Sequence, residues 1–189
     1  MTSPIIFFEG IDIMKKFFAA ILAAAMIILC AAGCTGVQKP KVATSDEAVS
    51  LNAADYNNDF EGLCNYLWAN GYINPHKDNK DITYTEMDYA LIGAVNGRKF
   101  IEQTKKSANI EIYEFDTEKP SKTATEIINS VKTNGTFTIL DLPEVNAYLS
   151  DNGKFLMIYN DKTIDENKTD SESYKLREEI LEKFKEFHK

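Results

Sequence analysis

Residues 90–104 read ALIGAVNGRKFIEQT, and residues 109–116 read NIEIYEFD. In the first stretch, Asn96-Gly97 divides two runs rich in apolar residues. Asn-Gly supplies the positive backbone angles of a two-residue hairpin turn, so Ala90–Val95 and Arg98–Thr104 are predicted as paired strands. Asn109–Asp116 follows after a short loop and is predicted as a third strand. Its two faces are Ile110/Ile112/Glu114 and Glu111/Tyr113/Phe115, and apolar residues on both predict partial cover on each side.

Helices flank this sheet signal. Upstream, Tyr56, Phe60, Leu63, Cys64 and Leu67 recur at helical spacing, and Gly71 after Asn70 is a stop signal. Cys64 on that apolar face reads as a buried small hydrophobe. Asn74–Thr85 reads as a polar loop. Downstream, a second helix is predicted from about Lys122 to Thr133, with Ala124, Ile127, Ile128 and Val131 as its stripe. Thr123 and Glu126 fit a capping box at its start, and Asn134-Gly135 ends it. Three more strands are predicted at Thr136–Leu140, Val145–Ser150 and Lys154–Asn160. Asp151-Asn152-Gly153 turns the last two into a hairpin. A final helix from about Asp170 to Phe187 opens on a second capping box, Thr169 and Glu172, with Tyr174, Ile180, Leu181, Phe184 and Phe187 facing inward.

The order α-βββ-α-βββ-α predicts an α+β domain over residues 49–189. Its sheet is mainly antiparallel with about six strands, and the helices are expected on one face.

Composition narrows the function classes. The chain has 189 residues and a formal charge of −8. Its sequence pI of about 4.9 argues against nucleic-acid binding, which needs a basic face. Three cysteines make no disulfide framework. Apolar content of 44% with 26% charged residues excludes a disordered chain.

The N-terminal region reads as an address. Met14-Lys15-Lys16 begins a basic start, and Phe17–Cys30 (FFAAILAAAMIILC) carries no charged or hydrogen-bonding side chain beyond the thiol. That run is shorter than the roughly 20 residues a spanning helix needs, and with the small residues after it fits a secretory signal over residues 1–33. Glu9 and Asp12 do not belong in a basic start, so Met14 is read as the initiator, with Met1–Ile13 a start placed too early. Ala31-Ala32-Gly33-Cys34 resembles the lipobox of bacterial lipoproteins, with Ala31 where Leu is usual. The resemblance implies cleavage before Cys34 and a palmitate-bearing diacylglycerol thioether on its sulfur. It therefore implies a membrane anchor on the extracytoplasmic side. Cys30 competes poorly, because bulky Leu29 precedes it. Residues 34–48 are the lipidated cysteine and a polar tether (TGVQKPKVATSDEA) spanning roughly 20 Å. Nineteen lysines against two arginines fit an AT-rich genome. The phrases IGAVNG, IEIYEFD and SDNGKFLMIYND resemble small uncharacterised lipoproteins of anaerobic Firmicutes, which implies a similar fold and location and brings no function.

The chemical signals are sparse. His76 and His188 stand alone, without ligands at zinc spacing, and read as solvent-exposed. No phosphate loop, GxSxG elbow or CxxC is present. Asp161, Thr163, Asp165, Asn167, Thr169 and Glu172 fall at calcium-loop spacing. Glu166 replaces the required glycine, though, and a strand precedes the loop, so the stretch reads as a polar loop. Glu114 and Asp116 share a strand face and are the candidate acid/base pair, though alternating charges suit a solvated face. Trp68, Tyr66 and Tyr72 cluster at the first helix end, as a contact platform or as a cap on the core. The first reading is a lipid-anchored binding or interaction module, without cofactor or metal. Its partner is a protein or a cell-envelope ligand, and the edge Lys154–Asn160 is open to pairing with another chain. The alternative is a small hydrolase using carboxylates that the fold assembles.

Overall fold

The computed structural model describes residues 50–76, 83–140 and 142–189. The expected signal, the expected lipidation site Cys34 and the expected tether lie outside the described residues. Among the described residues are three α-helices, α1 (Phe60–Ala69), α2 (Lys122–Asn134) and α3 (Glu172–Glu186). Seven strands accompany them, β1 (Tyr84–Glu86), β2 (Asn96–Ile101), β3 (Ala108–Glu114), β4 (Thr136–Phe137), β5 (Val145–Asn146), β6 (Tyr148–Leu149) and β7 (Phe155–Asp161). The main sheet has the order β1-β2-β3-β7-β6, and β4-β5 form a small second sheet. Every pairing is antiparallel. The α+β class with an antiparallel sheet is therefore as expected.

The placement of the helices is not. Alternate residues of the central strands feed two separate cores. Ile110, Ile112, Phe155 and Met157 pack with α1 and α3 on one face. Tyr113, Phe115 and Leu156 pack with Ala124, Ile127 and Val131 of α2 on the other. The helices thus cover both faces rather than one. The composition of β3 foreshadows this, since a strand apolar on both sides needs two covers.

Asn96-Gly97 is also not a turn. Both residues lie inside β2, opposite Glu114 and Tyr113. The strand that β2 follows is Tyr84–Glu86, within and just past the expected polar loop. Residues 89–92 form a 3-10 turn instead, closed by Gly93 at φ 72°. The left-handed residue of this region is therefore Gly93, where a side chain is strained.

The helix caps shift by two residues. Ser121, not Thr123, caps α2, its Oγ accepting from Ala124 N–H at 3.0 Å. Ser171, not Thr169, caps α3, accepting from Tyr174 N–H at 3.3 Å. At each helix the serine stands one position before the first helical residue, where its oxygen reaches the orphan donors. The expected strand 136–140 is cut to Thr136–Phe137, and 145–150 is divided into β5 and β6 by Ala147. The hairpin at 151–153 forms as expected, with Gly153 at φ 72° and Gly153 N–H donating to Ser150 O at 2.8 Å.

Candidate functional site

The division at Ala147 builds the site. In β6, Leu149 lies opposite Leu156 and Tyr148 opposite Met157. Continuing that register would set Asn146 opposite Tyr159 and Glu144 opposite Asp161. Neither pair forms. Ala147 N–H donates to Gly135 O at 2.9 Å instead, and Asn146 and Val145 pair with Thr136 and Phe137 of β4. The chain therefore veers from β7 to the small sheet, and β7 keeps an open edge over Ile158–Asp161. A cleft of about 370 Å³ occupies the gap, with β7 along one side, residues 144–146 along another and Ile164, Glu166 and Arg177 closing it. That volume lies within the range of small-molecule sites, about 300–1,000 Å³.

Two buried polar side chains line the cleft. Arg177 on α3 is 9% exposed. Its guanidinium donates to both Glu166 oxygens, at 2.9 Å through Nη2 and through Nη1, and to Glu178 Oε1 at 3.0 Å through Nε. Its Cζ stands 4.6 Å from the Tyr174 ring centroid. The fork geometry and the stacked face are properties of arginine that lysine lacks. The guanidinium in turn holds the Glu166 carboxyl below its ordinary range. Tyr159 is also 9% exposed, and its buried hydroxyl has no hydrogen-bond partner among the described residues. Burial pushes that phenol up. Asp161 is held by Thr163 N–H at 2.8 Å, Thr163 Oγ1 at 2.7 Å and Ser107 Oγ at 2.8 Å.

The residues singled out from sequence are placed elsewhere. Tyr66 and Tyr72 are core residues at 2% and 4% exposure. Tyr66 stacks on Phe187 at 5.6 Å, and the Tyr72 hydroxyl donates to Glu179 Oε1 at 2.6 Å. Trp68 is half-buried and meets the edge of His76 at 4.4 Å. Glu114 is buried, accepts from Asn96 Nδ2 at 2.7 Å and pairs with Lys154 Nζ at 3.1 Å. Asp116 is exposed and accepts the N–H groups of Glu118 and Lys119 at 3.0 and 2.9 Å. One carboxylate thus fixes the sheet and the other a turn, and no hydrogen bond joins them. Cys64 is fully buried on α1, and burial pushes its thiol up.

The calcium-spaced loop links β7 to α3. Its acidic groups take Thr163, Asn167, Arg177 and Lys105 as partners, and among the described residues no cluster of His, Cys, Asp and Glu could hold a metal ion. His188 is half-buried rather than exposed. Its Nε2 lies 2.6 Å from Tyr56 O, and its ring stands edge-on to Phe187.

Sequence reasoning passed over Arg177 and Tyr159. One signal was there to use: a chain with nineteen lysines keeps arginine at only two positions. The other arginine, Arg98, is likewise largely buried and pairs with Glu61 at 2.6 Å while lying over the Tyr84 ring at 4.6 Å.

No family model matches the chain, and comparisons with curated proteins and with solved structures return no match. No helix among the described residues is long and apolar enough to cross a membrane.

Proposed function

We propose that this chain is a lipid-anchored binding module of a bacterial envelope, held on the extracytoplasmic side through Cys34, with its ligand in the cleft beside Arg177. The anchor rests on the signal and lipobox pattern of residues 14–34. The binding reading is carried by one observation: an antiparallel sheet gives up pairing along Ile158–Asp161 and leaves a polar cleft with a buried arginine in its wall. Open sheet edges are normally covered or blunted, so an edge left open inside a cleft points to an occupant. The partner is an envelope ligand or the segment of another protein. The hydrolase alternative draws less support, because Glu114 and Asp116 are each committed to other partners.

The test uses the intact chain in detergent micelles. It is mixed with a hydrolysate of bacterial envelope polymers, and saturation transfer to the dissolved components is read by NMR. Asn160 is exposed on the cleft side of β7, so Asn160→Trp fills the cleft without touching the core. Transfer that Asn160→Trp abolishes supports the reading. Transfer unchanged by it, or none at all, overturns it. For the anchor, Cys34→Ser is expected to move the chain from the membrane fraction to the soluble one, and a variant that stays with the membrane refutes lipidation there.

A further inference from the structure

The cleft's hydrogen-bonding inventory divides sharply by charge. Its ionic groups are already paired, Glu144 at the rim excepted. All three guanidinium nitrogens of Arg177 donate to Glu166 and Glu178, and both Asp161 oxygens accept from Thr163 and Ser107. Apart from Glu144, the groups left over are neutral. The carboxamides of Asn146 and Asn160 and the hydroxyl of Tyr148 carry no hydrogen bond among the described residues, whereas the Tyr159 hydroxyl is buried in the core and out of a ligand's reach. Each carboxamide both donates and accepts, and so does each phenol. Ile158 and Ile164 add apolar surface between them.

From this inventory we infer that the cleft takes a neutral, hydroxyl-rich ligand, a saccharide unit. This rests on the binding reading above. A sugar hydroxyl both donates and accepts, so it satisfies the free carboxamides and the Tyr148 phenol without leaving a charge unpaired, and the C–H face of the ring covers apolar lining. An anion finds no unmatched cation here, since Arg177 is already paired with Glu166 and Glu178. The only carboxylate of the cleft without a partner among the described residues is Glu144, exposed at the rim, and it repels anions. An added peptide strand is poorly served as well. The open edge runs only from Ile158 to Asp161, and the Asp161 carbonyl already accepts from Ile164 N–H at 3.4 Å.

The experiment presents the intact chain in micelles with four probes: N-acetylglucosamine, N-acetylmuramic acid, glucosamine and tri-alanine. The first three share a ring and differ in charge, and the fourth is a peptide. Saturation transfer is expected for N-acetylglucosamine above the other three. It should weaken several-fold in Asn160→Ala and in Tyr148→Phe, with partial recovery in Asn160→Gln. Preference for the muramic acid or the amine overturns the neutral class, and preference for tri-alanine assigns the cleft to peptide. If no probe responds while the envelope hydrolysate still gives transfer that Asn160→Trp abolishes, the saccharide class fails and the binding module stands. If neither responds, both fail.

Discussion

The ring of Tyr113 closes over Gly97. A Cβ on Gly97 would fall 2.7 Å from Tyr113 Cδ1 and 2.9 Å from Tyr89 Cβ, well inside the optimal carbon separation of about 3.5–4.0 Å. Gly97→Ala is therefore expected to cost about 1–3 kcal/mol by overpacking, read as a lower urea midpoint at unchanged slope. In a Tyr113→Ala background the added cost should shrink. Equal costs in the two backgrounds would sink the steric account.

Glu102 holds the loop between β2 and β3. It is fully buried, and its carboxylate accepts from the N–H groups of Thr104, Lys105 and Lys106, the last two at 2.8 and 3.1 Å. Lys106 there takes a positive φ of 56°, a conformation that needs such support. Glu102→Ala strands three backbone donors and is expected to destabilise by about 3 kcal/mol. Hydrogen exchange at Lys105 and Lys106 should quicken first, and protection equal to the parent chain would refute the assignment.

Tyr159→Phe should act in the opposite direction on stability. An unsatisfied buried hydroxyl costs about 1–3 kcal/mol, so deleting it is expected to raise stability by about 1 kcal/mol. Thermal and urea unfolding both read this. A clear loss of stability would mean the hydroxyl has a partner in solution.

Acid should weaken the β7 end of the sheet. Burial pushes the Asp161 carboxyl up, but donors from Thr163 and Ser107 outweigh it and leave the group below its ordinary value. A carboxyl lowered by folding contributes its stability in full above the unfolded value near 3.8, and loses it as pH falls through the folded value. The urea midpoint should therefore decline between about pH 5 and pH 2, and Asp161→Asn should flatten that decline. An acid limb unchanged in Asp161→Asn would assign the loss to other carboxyls.

Local signals in the sequence located the helices and the 151–153 hairpin, because spacing and turn residues act over a few positions. Gly97 was misread because two different needs select glycine. A positive φ and a close approach leave the same letter, and only the position of Tyr113 separates them. The side of the sheet that α2 covers is fixed by which core Ala124, Ile127 and Val131 enter, and a helical stripe does not encode that. Ser121 and Thr123 are both competent caps two residues apart, so composition alone did not choose. The cleft was least legible of all. It exists because Ala147 N–H reaches Gly135 O, twelve positions away, and no short window of sequence contains both ends of that bond. The two arginines were the one mark that a reader of composition had to hand.

The turn at 151–153 is fastened to residues near 187. Asp151 N–H donates to Lys185 O at 3.2 Å, and Asn152 Nδ2 reaches the carbonyls of Phe187 and His188 at 3.3 and 3.2 Å. Phe187 itself is fully buried and meets Tyr66 and Phe155. The first helix, β7 and the hairpin therefore all meet at one aromatic residue, Phe187. Their contacts are complete only when residue 187 docks, so residues 60–69, 151–153 and 155–161 are expected to fold as one cooperative unit.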